Sequence, residues 1–144
     1  MVWQTGSYYY NEMMARLGNS APENLFPMEF VSRMDLAYSV ADVVISRAGA
    51  GTISELCLLA KPCVLVPSPN VAEDHQTKNA MALVENQAAL LIKDVDSKTQ
   101  LLKETFRLVA DKQRLKSLSE NIEKLARPNA AKDIVDVILE VVKT

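Results

Sequence analysis

The sequence predicts an α/β fold, a parallel sheet with helices on both faces. Val43-Val44-Ile45-Ser46, Cys63-Val64-Leu65-Val66 and Ala88 to Ile92 read as short strands, and helical stretches alternate with them. Each run is apolar at nearly every position rather than at every second one, which marks strands covered on both faces, as in parallel sheets. The 144 residues, of which 49% are hydrophobic, suffice for one domain with a real core.

Taken in order, Val2-Trp3-Gln4-Thr5 reads as a buried strand ending at Gly6. Tyr8, Tyr9 and Tyr10, expected to pack, open a helix that stops at Gly18, where glycine supplies the usual C-terminal turn. Leu25 to Val31 is a second strand, and Pro27 within it predicts an edge position or a bend. Met34 to Val40 is a short helix with Asp35 near its favoured end. The strand from Val43 leads through a glycine-rich turn into a helix read as opening at Thr52 and ending near Ala60, because Pro62 cannot continue it. After the Cys63 strand comes a loop at Ser68-Pro69-Asn70, and then a helix opened by Glu73 and Asp74 that runs to about Glu85. From Ser97 onward the chain is helical, with breaks near Asp111 and at Arg127-Pro128.

Composition removes several classes of function. A formal charge of −2, with Lys and Arg interspersed among Asp and Glu, gives no electrostatic footprint for nucleic acid. No apolar run reaches the roughly 18 residues of a membrane span, and the first residues do not read as a signal peptide, so a cytoplasmic location is expected. The two cysteines, Cys57 and Cys63, have no metal-ligand spacing and read as buried thiols.

The chemistry concentrates at Arg47-Ala48-Gly49-Ala50-Gly51-Thr52-Ile53-Ser54-Glu55. Without bulky side chains at 48 to 51, backbone N–H groups can approach a ligand closely, and the positive end of a helix points at the same spot. A phosphate suits that place, and Glu55, one turn on, suits a pair of hydroxyls beside it. The same Thr52-x-x-Glu55 spacing is also that of a capping box, in which both side chains satisfy the helix start and nothing is bound. Spacing alone leaves both readings open. The Gly-rich turn, the loop from Ser68 to Gln76 and the end of the Phe30 strand all follow strands, the positions at which ligands bind on open parallel sheets.

Arg47 to Glu55, together with Glu73-Asp74-His75-Gln76-Thr77-Lys78-Asn79-Ala80, resembles the donor-binding, Rossmann-like C-terminal half of the GT-B glycosyltransferases. More narrowly, it is similar to the UDP-N-acetylglucosamine transferases that convert lipid I to lipid II in peptidoglycan synthesis. Trp3-Gln4-Thr5-Gly6 resembles that family's strand end beside the phosphate site, and Glu29-Phe30-Val31-Ser32-Arg33-Met34 its uracil-binding segment. The resemblance implies that Phe30 stacks near the uracil and that the main chain of Val31 reads its polar edge. Glu55 would accept both ribose hydroxyls, and the backbone at Ala50, Gly51 and Thr52 would face the diphosphate. Arg47 would sit by the donor, and Gln76 with His75 would hold hydroxyls of the N-acetylglucosamine ring, with Asn79 supporting the loop. His75 is the only histidine, but the base for the acceptor hydroxyl is expected in the other half of such enzymes, so no catalytic residue is assigned. The implied enzyme is inverting, uses no metal or cofactor, and takes UDP-N-acetylglucosamine as donor and lipid I as acceptor at the cytoplasmic face of the inner membrane.

Residues 1–144 depart from that pattern in two ways. The glycine-serine phosphate loop expected ahead of the Trp3 strand is missing, as is the acceptor-binding domain. The expectation is therefore a donor-binding domain without its first strand-loop-helix unit, inactive by itself. Three other readings stand beside it: the donor-binding subunit of a two-chain UDP-sugar transferase, a domain like the UDP-N-acetylglucosamine 2-epimerases, and a structural α/β module whose Thr52 and Glu55 only cap a helix.

Overall fold

The computed structural model describes residues 1–69 and 74–142. Asn70, expected to close a loop, and Glu73, expected to open a helix, lie outside the described residues. The chain divides into two compact units, Met1–Ala41 and Asp42–Thr144.

In the first unit, β1 (Val2–Gln4) is followed by α1 (Ser7–Leu17), a single 3-10 turn (Gly18–Ser20), β2 (Phe26–Met28) and α2 (Met34–Val40). The strands pair in parallel, with Trp3 opposite Pro27. Gly6 and Gly18 flank α1 at φ 76° and 50°, a conformation that favours glycine, and so fix both of its ends. The second strand is shorter than its apolar run. It stops at Met28, and Phe30 lies beyond it, exposed to 71% of its surface. Tyr8 and Tyr9 do not pack into a core as expected. They are exposed and meet edge to face at 4.8 Å.

The second unit holds β3 (Val44–Ser46), α3 (Ala50–Leu58), β4 (Cys63–Leu65), α4 (His75–Glu85), β5 (Leu90–Leu91), a 3-10 turn (Asp94–Asp96), and then α5 (Ser97–Ala110), α6 (Lys112–Glu123) and α7 (Ala130–Val142). The three strands form a parallel sheet in the order β3-β4-β5. As the middle strand, β4 is covered on both faces, so Cys63, Val64 and Leu65 are wholly buried and the run must be apolar throughout. Val64 packs with Ile92, Leu108 and Leu118, which brings α5 and α6 onto one face of the sheet. Side chains alternate across a strand, so Cys63 and Leu65 face the other way.

Helices α3 and α4 end alike. Lys61 N–H returns to Leu56 O at 3.0 Å and Ala88 N–H to Leu83 O at 2.9 Å, closing the six-residue loop of a Schellman turn. The left-handed positions there belong to Ala60 and Gln87 rather than glycine. From α6, Ser119 Oγ donates to Ala60 O at 2.7 Å and Asn121 Nδ2 to Gln87 O at 3.1 Å, so one helix holds both turns. The break at Asp111 is a cap, because its carboxylate accepts from Arg114 N–H at 2.9 Å. Helix α7 has no buried residue, and Ile134, Val137, Ile138 and Val141 stay exposed. No helix among the described residues is long and apolar enough to cross a membrane.

Candidate nucleotide site

The helix after β3 begins earlier than the sequence implied. Gly49 is its N-cap, with extended backbone at φ −69° and ψ 146°, and Ala50 is its first residue. Gly49, with no side chain, makes no side-chain cap bond. Thr52 thus stands inside the first turn, which removes the capping-box reading of Thr52 and Glu55. Ile53 N–H donates to Gly49 O at 3.0 Å, the first bond of the helix to close. The amides of Ala50, Gly51 and Thr52 precede it and are the donors that a helix start leaves without an intrahelical partner. A Cβ placed on Gly51 would meet no atom of the described residues within 4 Å. Ala50, Gly51 and Glu55 are exposed and Thr52 is half-buried.

What holds this turn is a set of side chains from α4 and from the end of β3. Ala48 is fully buried, and its peptide groups are gripped from α4: Gln76 Oε1 accepts from Ala48 N–H at 3.3 Å, and Asn79 Nδ2 donates to Ala48 O at 3.2 Å. Gln76 Oε1 also accepts from Ser68 N–H at 2.9 Å, joining the loop after β4 to the loop after β3. Gln76 and Asn79 lie three residues apart in α4, hence on one helix face. His75 is the first residue of that helix and is exposed. Its N-cap is Asp74, held in the left-handed region at φ 52°, and Thr77 Oγ1 donates to the Asp74 carboxylate at 2.6 Å. The acid therefore precedes the helix rather than lying in its first turn.

Arg47 forms the second brace. Its Nη1 donates to Val66 O at 3.1 Å, to Pro67 O at 3.3 Å and to Asp94 Oδ1 at 2.5 Å. Asp94 follows β5, so a single guanidinium links the loops that leave the carboxyl ends of β3, β4 and β5. Sequence reasoning missed Asp94. Its only signal is its place just past a strand end, where the loops of such a site converge.

Phe30 and Val31 belong to the first unit. Phe30 is exposed rather than part of the core. Val31 is buried, and its N–H donates to Gln4 Oε1 at 2.8 Å. The Val31 amide is therefore satisfied within its own unit, by a glutamine from β1.

A half-buried strand, a glycine turn and a helix start without an N-cap side chain, set on a parallel sheet, are the architecture on which α/β domains bind anions. The chain belongs to the Glycosyltransferase family 28 C-terminal domain family, whose model matches residues 1–136. It is 53% identical over 142 residues to the UDP-N-acetylglucosamine--N-acetylmuramyl-(pentapeptide) pyrophosphoryl-undecaprenol N-acetylglucosamine transferase of Parabacteroides distasonis, covering 99% of this chain and 39% of that protein. The protein of the same name from Flavobacterium psychrophilum is 47% identical over 146 residues, covering 100% of this chain and 38% of its own. Among solved structures, that of Acinetobacter baumannii MurG matches with a TM-score of 0.84 at 29% identity, over 96% of this chain and 42% of that one. The glycosyltransferase VinC, at 23% identity and a TM-score of 0.65 over 85% of this chain and 29% of its own, shares the fold. The chain thus spans about two fifths of the length of the curated relatives it matches.

Proposed function

We propose that this chain is the UDP-N-acetylglucosamine-binding part of an inverting glycosyltransferase that adds N-acetylglucosamine to lipid I, giving lipid II for the peptidoglycan wall. The observation that carries the reading is the start of α3, where the N-cap Gly49 brings no side chain and a Cβ on Gly51 would meet no described atom within 4 Å. The names of the relatives supply the sugar nucleotide and the lipid acceptor.

In this reading the diphosphate lies on the amides of Ala50, Gly51 and Thr52, which meet the charge that grows as UDP leaves. Glu55 takes the ribose diol, Phe30 covers the uracil, and Val31 reads it through the main chain. Arg47 stands by the donor, and Gln76 and His75 meet hydroxyls of the sugar, with Asn79 behind them. The acceptor hydroxyl bonds to the anomeric carbon as the bond from that carbon to the diphosphate oxygen breaks. The hydroxyl proton passes to a base outside this chain, to which we assign no catalytic residue. The domain comprises residues 1–144, and lipid I is held by another part of the longer enzyme. In the same reading that longer enzyme works at the cytoplasmic face of the inner membrane, where wall growth couples it to cell shape and division.

Titration calorimetry tests the donor site. UDP should bind at least about tenfold more tightly than ADP, a difference of roughly 1.4 kcal/mol, and UDP-N-acetylglucosamine more tightly than UDP. Equal affinity for UDP and ADP would remove the uridine assignment.

A further inference from the structure

We propose that Asp94 is a positioning residue for the diphosphate subsite, acting through Arg47; the proposal rests on the donor-site reading above. Arg47 lies at the hinge between β3 and the Gly-rich turn, one residue before the buried Ala48 peptide. Its Nη1 is shared among the Val66 and Pro67 carbonyls and the Asp94 carboxylate, of which Asp94 is the nearest at 2.5 Å. The carbonyls alone are neutral acceptors, and a charged partner makes the stronger, shorter bond. Asp94 therefore keeps the guanidinium docked across the strand ends. That side chain is half-exposed in a region where an arriving phosphate would compete for it.

With Arg47 docked, the main chain leading into the turn is fixed from two sides: Arg47 ties it to the Val66–Pro67 carbonyls and to Asp94, while Gln76 and Asn79 hold Ala48. The amides of Ala50 to Thr52 are then preset for the diphosphate and need not be ordered when it arrives. Without Asp94, the guanidinium is released from the brace. The anion would then be met by a mobile side chain and a loosened turn.

The test compares UDP with uridine, which lacks phosphates, across a double-mutant cycle. Asp94→Ala should weaken UDP about tenfold and uridine less than twofold, Asp94→Glu should recover most of the loss, and Asp94→Ala should have no further effect in an Arg47→Met background. Equal losses for UDP and uridine would overturn the proposal, as would effects that simply add. Amide exchange gives a readout that needs no ligand. Asp94→Ala should speed exchange at Ala48 and Ser68 about tenfold while the amide of Leu65 stays protected, and unchanged exchange at Ala48 would refute the brace. Wild-type protein that binds neither UDP nor uridine would refute the donor-site reading instead, and the exchange result would still decide whether Asp94 holds the turn.

Discussion

The Ala48 amide donates to the side-chain oxygen of Gln76 at 3.3 Å, and that oxygen also accepts from Ser68 N–H. With Oε1 committed to two backbone donors, only Nε2 remains to meet a ligand, so Gln76 can offer a sugar hydroxyl a donor and no acceptor. The structural role and the proposed recognition role of Gln76 would thus fall on opposite atoms of one amide.

Substitutions separate the two. Gln76→Glu keeps an acceptor for both N–H groups but removes the NH₂ donor. It should leave the melting temperature near that of wild type and abolish the preference for UDP-N-acetylglucosamine over UDP. Gln76→Ala takes the acceptor from two part-buried amides, for which the cost of on the order of 1–3 kcal/mol for a buried unsatisfied group is an upper bound. It should therefore lower stability in urea titration and weaken UDP as well. A Gln76→Glu protein that retains the sugar preference would show that Nε2 does not touch the sugar.

Glu55 stands well inside α3, whose N-cap is Gly49, too far along the helix for the N3 position of a capping box. Glu55→Ala should cost less than about 1 kcal/mol of stability, the ceiling for an exposed polar contact. Selectivity is the other readout. Wild type should favour UDP over 2′-deoxy-UDP by at least about tenfold, or roughly 1.4 kcal/mol, and Glu55→Ala should lose that margin. An unchanged ratio in the variant would take Glu55 out of the ribose site.

The parts of this fold that were readable from sequence share a local cause. Gly18 stops α1, Asp111 separates α5 from α6, and the all-apolar Cys63 run is the buried middle strand. Each is dictated by the residue's own backbone or burial. The start of α3 was misread because Thr52 and Glu55 carry a strong capping signature, whereas the true cap, Gly49, offers no side chain to recognise. The strand at Phe30 was overextended because apolar character persists beyond Met28, where pairing with β1 ends. Arg47 and Gln76 were singled out as ligand contacts, yet their visible bonds are to main chain and to Asp94, alongside Asn79, expected to support the loop, which bonds Ala48 O. Those partners lie far away in sequence, and no local pattern announces them.

Cys63 provides a prediction that is independent of any ligand. Both thiols are free and buried, as their apolar settings implied. Burial, with a smaller contribution from nearby Cys57, pushes the Cys63 thiol from 9.0 up to about 12. A folded-state value above the unfolded one means that between those limits the folded chain keeps a proton the unfolded chain has lost. Stability is therefore undiminished below about pH 9 and falls as pH rises, at up to about 1.4 kcal/mol per unit. From pH 9 to 10.5 Cys63 should remove about 1.6 kcal/mol, seen as a drop in the urea midpoint beyond that of Cys63→Ala over the same range. Cys63→Ala should start lower at pH 7, because it opens a cavity beneath the sheet, and should then decline less steeply. Parallel curves for the two proteins would mean that the Cys63 thiol ionises as readily in the fold as in the unfolded chain.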